Sequence, residues 1–139
     1  MLTPDFVREL KSSWLPHVTD PALDRLIEML EKNSPLLIHG CFTRSSSIGC
    51  LASHAAWHHP QTAHLSHDAG IAWLNRVAGL NPATSRVIQA WDERGAHDWE
   101  MRSELLGHFK EERVRRSTAV CGSAREACSV ESASPLTCV

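Results

Sequence analysis

Between Leu37 and Asp68 the chain gathers six of its nine histidines, His39, His54, His58, His59, His64 and His67, and two of its five cysteines, Cys41 and Cys50. Imidazole and thiolate are the side chains that bind borderline-soft metal ions, and imidazole titrates near neutral pH. Cys50-x3-His54-x3-His58 spaces three such groups by four residues. On a helix, residues four apart lie one turn apart on the same side, so neighbours in this series can share an ion. A thiolate with imidazoles suits zinc at a tetrahedral site. His39 and Cys41 add two further donors from the preceding segment, because alternate residues of an extended chain point the same way. The expected metal ligands are therefore Cys50, His54, His58, His39 and Cys41, with His59, His64 and His67 on a loop that can fold over them. The spacing matches no standard zinc motif, and no CxxC pair is present.

The same residues support a second chemistry. A cysteine beside a histidine can become a thiolate nucleophile. Cys50 and His54 would form that pair, with Asp68 orienting the imidazole. No flanking pattern of a cysteine enzyme, Gly-rich phosphate loop or nucleotide fingerprint accompanies them.

The elements that must position these groups read as helices. Thr3-Pro4-Asp5 and Thr19-Asp20-Pro21 are helix starts, each with a capping threonine, an early proline and an acid near the positive end. Phe6, Val7, Leu10 and Trp14 form one apolar stripe, and Leu23, Leu26, Ile27 and Leu30 another. A short turn between them predicts an antiparallel hairpin. Leu36 to Phe42 is an apolar run too short for periodicity to assign. Ile48 to His58 carries no charged residue but histidine, which predicts a helix buried nearly all round. A further helix starts at Ser66, with Ile71, Leu74, Val77 and Ala78 inward and Gly79 closing it. Asn81-Pro82 starts another, with Thr84, Val87, Ile88 and Trp91 inward. The last runs from about Asp98 to Arg116 around Leu105, Leu106 and Phe109. Its basic end, Lys110, Arg113, Arg115 and Arg116, suits a helix C-terminus. The five tryptophans fall mostly one per helix, as core wedges.

No alternating strand pattern appears. The expected fold is all-α, a compact bundle of five or six short helices over residues 1–116. After Arg116 the chain turns rich in Ser, Ala, Thr and Cys, which predicts a disordered tail over 117–139.

At 139 residues one domain is the default, and its 42% hydrophobic and 22% charged residues are ordinary for a globular protein. The net charge of −2 gives no general attraction to nucleic acid or anionic membranes. No apolar run reaches a membrane span, and the N-terminus lacks the basic and apolar regions of a signal peptide. The cytoplasm is the expected compartment, where an odd number of cysteines reads as thiols or ligands. The functional expectation is a zinc-binding regulatory or interaction module acting through a protein partner. Two lesser alternatives remain. Pro82 to Gly95 and Asp98 to Arg116 have the lengths of a DNA-binding helix-turn-helix, although Glu100, Glu104, Glu111 and Glu112 share the basic helix. Cys121, Cys128 and Cys138 among Ser and Thr would suit a modified peptide behind a folded leader.

Overall fold

The structure is a computed structural model that describes residues 2–45 and 48–130. It is mostly helical, with one small hairpin. Helix α1 (Pro4–Glu9) starts where Thr3 Oγ1 accepts from the Phe6 N–H, and it runs on through a π-helical turn (Leu10–Trp14) and a 3-10 turn (Leu15–His17). Helix α2 (Asp20–Glu31) repeats the start, with Thr19 accepting from the Ala22 N–H. Its buried face holds Leu23, Leu26, Ile27 and Leu30 as their spacing requires. Asn33 then turns the chain through the left-handed region, at φ 50°.

The expected α1–α2 hairpin does not form. Helix α2 packs on α6 (Trp99–Val130) and α3 (Leu51–Trp57), and α1 packs on α5 (Arg86–Arg94). Glu9 explains the second pairing. Its carboxylate accepts from Ser85 Oγ, from the Arg86 and Val87 N–H groups and from Trp14 Nε1, so α1 caps the start of α5.

Strands β1 (Thr43–Ser45) and β2 (Ile48–Gly49) form a bulged antiparallel pair that the sequence pattern had not predicted. Gly49 also bonds on its other side, to the carbonyl of Leu36 and from the N–H of Ile38. Ile48 and Gly49 are therefore strand, and the helix expected from Ile48 begins at Leu51. A Cβ on Gly49 would meet Ser53 Cβ at 2.7 Å, the Phe42 carbonyl at 2.8 Å and the Trp57 ring at 2.9 Å. The missing side chain is what lets the hairpin lie directly on α3.

Helix α3 occupies the centre, as its uncharged sequence implied: Leu51, Ala52, Ser53, His54, Ala55 and Ala56 are all buried. Helix α4 (Ala69–Ala72) starts after Asp68, not Ser66, and widens into a π-helical stretch over Trp73–Ala78. That widening shifts the inward face, so Trp73 is fully buried while Ile71 is 38% exposed. Gly79 closes the segment at φ 70°, the left-handed end expected of it. Asn81 and Pro82 form a turn ahead of α5, in which Asn81 Oδ1 accepts from the Ala83 N–H. Ser85 is the actual cap. Of the α5 stripe, Val87, Ile88 and Trp91 are buried, while Thr84 is exposed. Trp14 and Trp73 meet at 5.0 Å between rings in the core. Trp99 departs from the expected wedge and is 69% exposed.

The backbone of α6 stays helical to Val130, beyond the expected end at Arg116. Its basic residues are thus internal to the helix. They pair with acids, Lys110 with Glu31, Arg113 with Asp24, Arg115 with Glu112, and Arg116 with Asp20 and Glu112. Lys110, Arg113 and Arg116 thus meet acids of α2 in an interhelical seam, while Arg115 pairs within α6. The last part of the expected tail, residues 131–139, lies outside the described residues. Among the described residues no helix is long and apolar enough to cross a membrane.

Candidate functional site

Cys50 sits at the N-cap of α3 with an extended backbone, φ −82° and ψ −176°. It is therefore not one helical turn below His54 in the sense the spacing suggested. Its side chain is buried, with Sγ 4.0 Å from Ser53 Oγ. Burial pushes the thiol pKa up to about 12, so the thiol is neutral at physiological pH. A neutral, enclosed thiol is a poor nucleophile, and this counts against a Cys50–His54 catalytic pair. Asp68, its proposed orienting acid, is exposed at the start of α4 and does not line the pocket of His54.

His54 is the anchored member of the cluster. It is 3% exposed, and Nε2 lies 2.9 Å from the Leu36 carbonyl oxygen. A carbonyl only accepts, so Nε2 carries the proton. Burial lowers the pKa of the ring, which keeps it neutral and leaves the Nδ1 lone pair as its basic atom. Trp57 packs edge-on against it at 5.0 Å between rings. The Trp57 indole N–H donates to the Ser66 carbonyl at 3.2 Å, which ties the loop after α3 to the helix. Thr62 Oγ1 donates to the Ala56 carbonyl at 2.8 Å and holds the same loop at its other end.

These anchors enclose a cavity of about 500 Å³. His54, His58, His64 and His67 all line it, with Arg25 of α2, Thr43 of β1 and Trp57. The rings of His58, His64 and His67 belong to exposed residues. Four of the six histidines thus converge on one pocket, which among the described residues no carboxylate lines.

The other expected donors go elsewhere. Cys41 is exposed and Cys50 is in the core. His39 lies against His97 across the molecule, with ring centres 4.9 Å apart at 89°. His59 is half-buried, and its Nδ1 accepts from the Gln61 N–H at 3.1 Å. Among the described residues, no three His, Cys, Asp or Glu side chains are already gathered as one metal site. The five-residue ligand set of Cys50, His54, His58, His39 and Cys41 is therefore divided between the core, the surface and two separate hollows.

Arg25 and Thr43 were not candidates from the sequence. Arg25 lies on the polar side of an ordinary amphipathic helix, and no local pattern marks it as facing histidines that begin 29 residues away in sequence. Only the packing of α2 on α3 brings it there. No family model matches the chain, and no curated protein or solved structure matches it.

Proposed function

We propose that this chain is a small helical binding module whose histidine pocket takes a transition-metal ion, zinc by its donor chemistry, and that it acts through a protein partner. The observation that carries this reading is His54. A metal-binding imidazole characteristically donates its other N–H to a carbonyl or carboxylate, which fixes the ring and its tautomer. His54 has that arrangement with Leu36 before any ion is present. His58, His64 and His67 are the further donors, and their exposed rings can change rotamer at small cost. His54, His58 and one of the two loop histidines, His64 or His67, supply three imidazoles and leave a fourth position open. Arg25, which lines the same pocket and pairs with Glu28, would suit an anionic fourth ligand, such as a carboxylate from a partner.

The test is calorimetric titration of chelator-treated protein with zinc, joined to thermal melts with and without chelator. One equivalent should bind and raise the melting temperature. A ligand at one hundred times its Kd adds about 2.7 kcal/mol to stability. His54→Ala and His58→Ala should remove the effect. His17→Ala should not, because its ring bonds the Ser13 carbonyl away from the pocket. Cys50→Ser should also keep binding, which separates this site from a Cys-containing one. Identical melts in both conditions, with no stoichiometric uptake, would end the metal reading.

A further inference from the structure

A second hollow, of about 400 Å³, lies on the other side of the 33–44 segment. Arg44, Arg102, His39 and His97 line it together with Asn33 and Ser34, and among the described residues no acid lines it. Arg102 is the unusual member. It is 3% exposed, yet its only hydrogen bond among the described residues is from Nη2 to the Leu30 carbonyl, at 3.3 Å. Its Nε is buried and meets no acceptor. No ion pair of the described residues includes Arg102 or Arg44. The remaining stabilisation of the Arg102 guanidinium is the Trp99 ring, 5.8 Å away.

A buried guanidinium stays charged, and a charge taken from water without an anionic partner is costly. The basic row of α6 shows the contrast, since Lys110, Arg113, Arg115 and Arg116 all find carboxylates. Acids do stand nearby: Glu93, Asp98 and Glu100 line the adjacent hollow, and Asp92 is close enough to His39 to act on it electrostatically. Asp98 is already paired with Arg94. None of these lines the hollow that Arg102 and Arg44 share. The group that fits two forked cations, flanked by two rings that each carry at least one N–H, is a compact oxyanion with several acceptors.

We propose that this hollow binds a dianionic phosphate group of the kind carried by a phosphate monoester, with Arg102 as the buried anchor and Arg44 closing over it. The site is separate from the histidine pocket and does not depend on a metal there.

Inorganic phosphate is the probe, titrated into the full chain by calorimetry, with chelator present so that the other pocket contributes nothing. Acetate at matched ionic strength is the comparison. Saturable one-to-one phosphate binding is expected, weakened about tenfold or more by Arg44→Gln, an exposed position where folding is not at stake. Arg102→Lys keeps the charge and loses the fork, and where circular dichroism shows it folded it should weaken binding at least as much. His64→Ala, in the other pocket, should leave phosphate affinity unchanged. Three outcomes each overturn the proposal: no saturable binding, equal affinity in wild type and Arg44→Gln, or acetate binding as tightly as phosphate.

Discussion

The carboxylate of Glu9 accepts a hydrogen bond from the hydroxyl of Ser85 at 2.6 Å, although the two residues are 76 positions apart. Ser85 in turn accepts from the Ile88 N–H, so the cap of α5 is itself held by a residue of α1. The same carboxylate takes the Arg86 and Val87 N–H groups, at 2.8 and 3.0 Å. An acid at a helix N-terminus is favoured by the partial positive charge there, and it satisfies donors that the helix cannot. Glu9→Ala should therefore lower stability by roughly 2–4 kcal/mol, since several buried donors lose an acceptor together. Urea unfolding measures this. A midpoint within error of wild type would mean that water replaces Glu9 without loss.

Leu51 is fully buried at the first turn of α3, against neighbours from several elements. Leu51→Asp places an unpaired carboxylate there, at a cost of several kcal/mol. The variant should not fold. Soluble protein with native circular dichroism and a cooperative melt would contradict the central position of α3.

Gly49→Ala probes how closely the hairpin lies on that helix. The added methyl would sit 2.7 Å from Ser53 Cβ and 2.8 Å from the Phe42 carbonyl, neither of which is a flexible side-chain end. Overpacking of this kind costs about 1–3 kcal/mol. Because β2 must lift, the Ser53 hydroxyl should also lose its 2.7 Å bond to the Phe42 carbonyl. Loss of amide exchange protection at Cys50, whose N–H donates to that same carbonyl, would report the shift. Protection and stability equal to wild type would argue against close contact.

Glu112 carries the pH dependence that can be worked out most directly. Two hydrogen bonds from Arg115, at 2.9 and 2.7 Å, and one from Arg116 at 2.6 Å hold its pKa down, from 4.5 to about 2. A depressed acid contributes its full stability above the unfolded value and loses it as pH falls through the folded one. The contribution should be complete above about pH 5 and decline between pH 4.5 and 2. Glu112→Gln should lower stability near neutrality, and the gap from wild type should narrow across that acid range. A gap that stays constant with pH would show that charge plays no part in the seam.

Much of the fold was legible because it depends on local chemistry. The caps at Thr3 and Thr19, the prolines after them and the left-handed Gly79 act within one turn of chain, and all are found where the sequence puts them. The uncharged stretch around α3 could only be interior, and it is. A helical period does not carry across a place where the backbone changes state. The four-residue spacing groups Cys50 with His54 and His58, but its extended backbone at the N-cap leaves the thiol in the core. The stripe through Ile71 slipped because the π-helical stretch after it adds a residue to the turn.

The sequence by itself determined that these helices exist, that the centre of the chain is buried and that histidines are concentrated beside it. Composition, capping and periodicity are local properties, readable one segment at a time. Which histidines share a pocket was decided only by tertiary packing. His39 ends against His97, while His54 lines a pocket with Arg25 and with Thr43 of β1. Arg102 and Arg44, 58 positions apart, meet for the same reason. Such meetings depend on how elements dock, through interactions between residues distant in the chain, and no short window of sequence contains them.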